Sequence, residues 1–337
     1  MTELVVHACG PMTSLQDHGR FGFQSSGVSP SGAMDGRALA LANALVGNPA
    51  GEGAIEFMNL GGSLVCSGGE GRVALVGPAA LSIDGRPVPG CTTALVREGE
   101  TLRIGHARGG AFSYLAAAGG FAIPAQLGSL SLHLRSKLGG LEGRPLAPGD
   151  RLPVRGPAEG ALLHHPGGLP AEAGPFRVML GPQDDFISVD GLRAFLEEEF
   201  RVSPLADRMG YQLAGPVIGH AKGFNIVSDG IVTGHVQVPG SGQPIVLMRD
   251  RQTTGGYPKI ATLISADLDR FAQLQPGATL RFRAVERDEA VAAARRLKEW
   301  LDALPSGLVP AGGALTTEQL MSLNLIGGMV DAHAQTP

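Results

Sequence analysis

The residues best suited to chemistry lie between Ser228 and Arg270. Val232, Gly234, Val236 and Val238 alternate there with Thr233, His235 and Gln237. That period of two predicts a strand with His235 and Gln237 side by side on one face. Pro239-Gly240-Ser241-Gly242 turns the chain, and Ile245 to Met248 is a continuous apolar run suited to a strand buried on both faces. The run ends in a polar cluster, Arg249-Asp250-Arg251-Gln252, followed by Thr253-Thr254-Gly255-Gly256-Tyr257-Pro258-Lys259. Paired glycines after hydroxyls expose backbone N–H groups, which suits a carboxylate, a phosphate or a developing oxyanion. Lys259 would bring a positive charge to the same place, and a lysine between a turn and an apolar strand contributes little to stability. A helix is expected near Ser265, with Asp267 and Asp269 in its favourable first turn. The competing reading is a polar loop between strands, since glycine turns are common.

A second set of polar residues lies near the start. Asp17, His18 and Arg20 form a turn carrying both signs of charge, and Ser29 lies in the loop Gly27 to Gly32. That loop leads into a helix predicted over residues 33–46, with Met34, Ala38, Leu41 and Leu45 as its apolar seam. Gly47-Asn48-Pro49 stops it. Asp35 sits in its first turn, where a carboxylate stabilises a helix with or without chemistry. Asn43 lies opposite the seam and is expected to face solvent, or else a polar cleft. Asp17 with Arg20, and Asp207 with Arg208, are equally readable as pairs that lock loops.

The elements that must position these groups are strands. From Ala54 to Val154 the pattern repeats: IEFMNL, SLVCSG, VALVGP, LSIDG, TALVREG, TLRIGHA and FSYLAAA, separated by Gly, Asp-Gly and Pro-Gly turns. Such spacing marks an all-β barrel or sandwich. Residues 119–150 are glycine-rich and less regular, and read as a long excursion or flap. His164 and His165 are adjacent, so they point to opposite faces of a strand and make a poor metal site; no metal is expected.

The second half echoes the first. Gly10-Pro11 recurs as Gly181-Pro182, Val28-Ser29-Pro30 as Val202-Ser203-Pro204, and GETLR at Gly99 as GATLR at Gly277, in the same order. Together they argue for internal duplication. The expected fold is mainly β: two tandem barrel domains, residues 1–165 and 176–285, each with a short helix. They are joined by a Pro/Gly/Ala linker at 166–175 and followed by a C-terminal helix and tail at 286–337, with a further short helix expected over Thr316 to Ala332. Duplicated domains create a cleft, where small ligands bind. It would set Asp17, Arg20, Ser29 and Asp35 against Arg208, His235, Gln237, Gln252, Thr254 and Lys259.

Composition narrows the classes. Net charge is −4 with no basic stripe, which argues against nucleic acid. No apolar run reaches the roughly 18 residues of a membrane span. The start, MTELVVHACG, does not read as a signal peptide. Cys9, Cys66 and Cys91 are scattered, which suggests buried thiols and a reducing cytoplasm.

The segments GQPIVLMRDRQTTGGYPKIATLISADLD, TSLQDHGRFGFQSSGVSPSGAMDGRALALANALVGNP and VSPLADRMGYQL resemble the hallmarks of a family that joins biotin-dependent carboxyltransferases with the C-type component of 5-oxoprolinase (PxpC). The same family is also called allophanate hydrolase subunit 2 or KipA-like. The similarity runs over roughly residues 3–285. Gly128-Ser129-Leu130-Ser131-Leu132 departs from the family's usual Gly-Ser-Arg-Ser-Thr, with leucines where the arginine and threonine would contact an anion. The resemblance implies cyclophilin-like barrels. It also implies one of three activities: ATP-dependent hydrolysis of 5-oxoproline as part of a complex, carboxyl transfer from carboxybiotin to urea or a related amide, or a regulatory role against a kinase inhibitor. The partner it implies is KipI-like, that is the B-type component of 5-oxoprolinase, with a LamB/YcsF-like protein or a biotin carrier as further company. The catalytic residues read on this basis are Lys259, His235 and Asp35. The substrate-binding ones are Asp17, Arg20, Ser29, Asn43, Arg208, Gln237, Gln252, Thr254, Gly255, Gly256 and Tyr257. No GxxxxGK[ST] loop occurs, so ATP would be bound unconventionally or through the complex. No Met-Lys-Met occurs, so biotin would arrive on another protein.

Overall fold

The computed structural model describes residues 2–156 and 159–311. The helix expected over Thr316 to Ala332 lies outside them. In the first half, alternating apolar strands form two antiparallel sheets. One runs, in order, Arg151–Pro153, Glu3–Cys9, Gly62–Ser67, Thr101–Ile104, Leu81–Ile83 and Arg86–Val88; the other runs Ser14–Gln16, Ala54–Met58, Phe112–Ala117, Gly71–Val76 and Thr93–Val96. Leu4, Val6, Leu64 and Leu102 of the first meet Ile55, Phe57, Leu75 and Leu115 of the second in a closed apolar layer. The outer face of the second sheet carries Ala74, Val76 and Tyr114, which pack against helix α1 (Gly36–Val46).

Helix α1 begins three residues later than its apolar seam suggests. Ser31 and Gly32 hold positive φ, which no helix accommodates, and the Asp35 side chain then caps the backbone N–H groups of Arg37 and Ala38. Gly47, at φ 80°, ends it. The helix is buried nearly all round, so Asn43 does not face solvent. Its amide donates to Glu52 O at 2.8 Å and accepts from Asn48. Asn43 latches the helix to the turn that follows and is removed from the binding set.

The second half is one eight-stranded sheet: Thr279–Leu280, Phe200–Ala206, Gly210–Ala214, Ile245–Leu247, His235–Gln237, Lys259–Leu263, Phe176–Leu180 and Phe282–Ala284. Its two edge strands are consecutive in the chain, interrupted only at Arg281, so the sheet curls into a nearly closed barrel. Helix α2 (Val189–Glu197) covers one end through Phe195, stacked on Phe282 with ring centroids 4.6 Å apart. Helix α3 (Leu268–Ala272) brings Phe271 edge-on to Phe176. Helix α4 (Arg287–Ala303) follows, and Val309–Pro310 returns to pair with Leu163–His164.

The internal echoes divide. Gly10-Pro11 and Gly181-Pro182 each end the first strand of their half. Gly99 and Gly277 both turn at positive φ into the strands Thr101–Ile104 and Thr279–Leu280. Val28-Ser29-Pro30, however, is a loop before α1, whereas Val202-Ser203-Pro204 lies inside a strand after α2. Those two triplets are not equivalent places. The predicted strand around His235 is also shorter than its alternation: Gly234 at φ 94° and a turn at 233–234 confine the ladder to His235–Gln237. No helix among the described residues is long and apolar enough to cross a membrane.

Candidate functional site

Where the halves meet, one apolar core runs through both of them, and buried polar groups are set into it. Glu56 interrupts an apolar strand. It accepts from Tyr114 Oη at 2.6 Å, from the Met34 backbone N–H at 2.9 Å, and from Arg208 Nη1. Arg208 also holds Asp250 through Nε at 2.8 Å and Nη2 at 3.0 Å, and donates to Gly32 O and Gln16 Oε1. Burial would drive the proton off Arg208, but Asp250 and Glu56 outweigh it and hold the guanidinium firmly charged. Both carboxylates face a single cation here, a fully used set of partners rather than a free binding group. Ser29 Oγ donates to Arg249 O at 3.0 Å, another bond across the two halves.

Asp35 is equally occupied. One oxygen caps α1, and the other accepts from Gln273 Nε2 at 2.9 Å. Burial, with Asp269 nearby, pushes its carboxyl up to about 6. Gln273 in turn accepts from Ala111 and Phe112 N–H and donates to Phe112 O, so Asp35 belongs to the joint between halves and not to an open cleft. Asp17 likewise is fully engaged: it accepts from Gly19 N, Ser129 Oγ, Leu130 N and Ser131 Oγ at 2.6–2.7 Å. It forms no ion pair with Arg20; it anchors the 119–150 excursion. That excursion folds as tight turns around a short helical turn, Leu134–Ser136. Arg20 is buried beside it and donates to Ser131 O.

The anchored excursion carries Arg135 to the rim of a cavity of about 280 Å³. Gln212, Gln237, Gln252, Tyr257, Leu205 and Asp207 complete much of its wall. Three residues proposed from sequence, Gln237, Gln252 and Tyr257, therefore do converge. Gln237 is buried, and its Nε2 has no hydrogen-bond partner. The side chain fits because residue 255 is glycine: a Cβ there would stand 2.5 Å from Gln237 Nε2. Two other depressions, of about 310 Å³ against α4 and about 620 Å³ beside Cys9 and His106, gather none of the proposed residues.

His235 lies two residues from Gln237 and shares its face of the strand. Its Nδ1 accepts from the Val232 N–H at 3.2 Å, which places the proton of the neutral ring on Nε2. Burial, then the charges of Lys259 and Arg251, depress its pKa to about 4. At neutral pH it is an uncharged donor. Lys259 is fully buried and its Nζ bonds Asp229 Oδ2 at 2.6 Å, so it is no free, flexible ammonium. Gly255 and Gly256 do not hold the positive φ of an anion-binding loop; Thr254–Gly255 instead pairs with Asp229–Gly230 in a two-stranded ribbon, and Thr254 is exposed.

Sequence reading missed Glu56, Arg135, Asp229 and Arg251. A charge inside the strand IEFMNL was the available signal for Glu56. Arg135 lies in an irregular segment and carried none. The described residues contain no group of three His, Cys, Asp or Glu side chains placed to hold a metal.

Comparison with known proteins supplies the remaining context. Residues 26–284 match the family model for the carboxyltransferase domain, subdomain A and B. The chain is 37% identical to the C subunit of 5-oxoprolinase from Escherichia coli over 303 residues, 89% of this chain and 97% of that protein. It is 30% identical to urea amidolyase of Saccharomyces cerevisiae over 326 residues, but spans only 17% of that longer protein. The crystal structure of Kluyveromyces lactis urea amidolyase superposes with a TM-score of 0.81 at 26% identity, over 90% of this chain and 20% of that one.

Proposed function

The chain belongs to the carboxyltransferase domain family, and from that premise we propose that it is the C-type component of an ATP-dependent 5-oxoprolinase, which opens 5-oxo-L-proline to L-glutamate. The similarity to the C subunit of the E. coli 5-oxoprolinase carries the reading, because it runs along nearly the whole of both chains. The chemistry of the cavity agrees. A lactam presents one carbonyl acceptor and one N–H donor side by side, and a glutamine amide offers the complement of both. Gln237, Gln252 and Gln212 line one small cavity with an arginine at its rim. His235, neutral with its proton on Nε2, adds a donor on the same strand face as Gln237.

The helix N-termini of the described residues offer little to a nucleotide's phosphates. Phosphates bind at helix N-termini with free N–H groups. Here the first turn of α1 is occupied by Asp35 and Asp269, and α2, α3 and α4 each carry an acid in the first turn. We therefore assign ATP to a KipI-like, B-type partner and derive no step through it. This chain's part is to hold the lactam, orient its carbonyl toward the Gln237 and His235 donors, and exclude water beneath the excursion. Donors aimed at developing negative charge contribute about 3–4 kcal/mol each in comparable sites.

A second reading, carboxyl transfer to a urea-like amide, draws on the superposition with urea amidolyase. The same glutamines suit urea. The two separate in one experiment: the chain, coexpressed with its partner, is assayed for ATP-dependent glutamate release from 5-oxoproline and for carboxyl transfer from a carboxybiotin donor to urea. Glutamate release with no transfer supports the first reading; transfer alone overturns it.

A further inference from the structure

Several of the unpaired buried donors in this protein lie on neighbouring segments. Among the buried side-chain atoms without a hydrogen-bond partner are Nε and Nη1 of Arg251, Nε and Nη1 of Arg20, Nε of Arg249 and Nε2 of Gln237. All are nitrogens that donate, and all lie on the two polar segments that face each other across the halves or on the adjoining strand. Buried donors are ordinarily paired, and a cluster of unpaired ones signals a missing acceptor.

Arg251 is the extreme case. It is only 2% exposed. Its Nη2 makes one long contact, 3.5 Å to Gln24 Oε1 in the turn Gln24–Ser26. No carboxylate among the described residues pairs with it, and the acids on neighbouring segments are engaged elsewhere. Asp250, its chain neighbour, is held by both Nε and Nη2 of Arg208. Asp269 serves Gly36 N, Arg37 and Arg249. Asp229 serves Lys259. A buried guanidinium without a counter-charge is unfavourable unless something supplies one. Burial and Arg249 already push its pKa down to about 10, the mark of a cation short of an anion.

We propose that Arg251, reaching the Gln24–Ser26 turn, binds an oxyanion of the ligand, and that this oxyanion is the carboxylate of the small-molecule substrate. The identity of the ligand rests on the 5-oxoprolinase reading; the need for an anion at Arg251 does not. Guanidinium is the preferred partner for a planar carboxylate. Gln237, on the strand neighbouring the 249–252 segment, then faces the lactam ring while Arg251 holds its acid group.

The test uses the full chain in complex with its coexpressed partner and three probes, followed by calorimetric titration: 5-oxoproline; 2-pyrrolidinone, the same ring without the carboxylate; and inorganic phosphate. Wild type is expected to bind 5-oxoproline more tightly than 2-pyrrolidinone, and Arg251→Gln to lose roughly 10- to 100-fold for 5-oxoproline alone. Arg251→Lys keeps charge without the fork and should fall between; it also serves if Arg251→Gln does not fold. Equal loss for both lactams, or no loss for 5-oxoproline and phosphate in either variant, overturns the assignment. If wild type binds neither lactam, the 5-oxoprolinase reading fails by itself. Phosphate binding lost in Arg251→Gln would then keep the oxyanion site and make its source phosphoryl.

Discussion

Lys259 Nζ lies 2.6 Å from Asp229 Oδ2, and the two ends of this bond differ in their access to water. The lysine is fully buried, while the aspartate side chain is 53% exposed. Lys259→Met keeps the stem volume, removes a buried charge and leaves an aspartate that water can solvate. Asp229→Asn leaves the ammonium buried without its counter-ion. Removing one member of such a pair is costly only when the survivor stays buried. Thermal melts are therefore expected to place Asp229→Asn well below wild type and Lys259→Met close to it. The opposite order would show that Asp229 is not what neutralises Lys259.

Gly255 has an ordinary backbone conformation, so alanine meets no φ strain there. What the new Cβ meets is Gln237 Nε2, the end of a flexible side chain. Gly255→Ala should displace that amide from the cavity at little cost in stability. Turnover is expected to fall by about 100-fold, the usual loss for one misplaced donor, with a nearly unchanged melting temperature. Unimpaired turnover would remove Gln237 from the site.

The strands were legible because apolar alternation and glycine turns are local signals. Each run from IEFMNL to FSYLAAA became a strand, and the mainly β fold followed. The site was legible only in part, because burial and pairing are decided by segments distant in the chain. In sequence, Asp35 reads as a catalytic group and Asp17 and Arg208 as substrate-binding ones. Their partners, Gln273, Ser131 and Glu56, lie 238, 114 and 152 residues away and turn them into joints. Gly255-Gly256 failed as an anion loop because Asp229–Gly230 draws it into a ribbon.

His235 gives a pH signature. An unfolded histidine takes its proton near 6.5, whereas the folded one waits until about 4. Between those values the unfolded chain binds more protons, so stability rises with pH across the window and is lost as pH falls from 6.5 toward 4. Above 6.5 this residue makes stability neither rise nor fall. The loss amounts to about 3 kcal/mol at the acid end. His235→Gln should flatten that part of the denaturation profile. Proton NMR of the wild-type ring should show no titration above pH 5; a midpoint near 6.5 would contradict the burial.

Asp17 controls the cavity from behind. Its carboxylate holds the Ser129 and Ser131 hydroxyls and the Leu130 N–H, which together pin the excursion against the edge strand Ser14–Gln16 of the second sheet. Arg135 reaches the cavity rim only because that excursion is held. Asp17→Ala strands several part-buried donors, each costing roughly 1–3 kcal/mol when unsatisfied. The expected result is local: faster proteolysis within 119–150, a lower melting temperature, and weaker substrate binding as Arg135 leaves the rim. Asp17→Asn keeps one acceptor and should recover part of each effect. If Asp17→Ala binds substrate normally while its excursion is cleaved, then the excursion is no wall of the site, and the cavity must be completed by the partner instead.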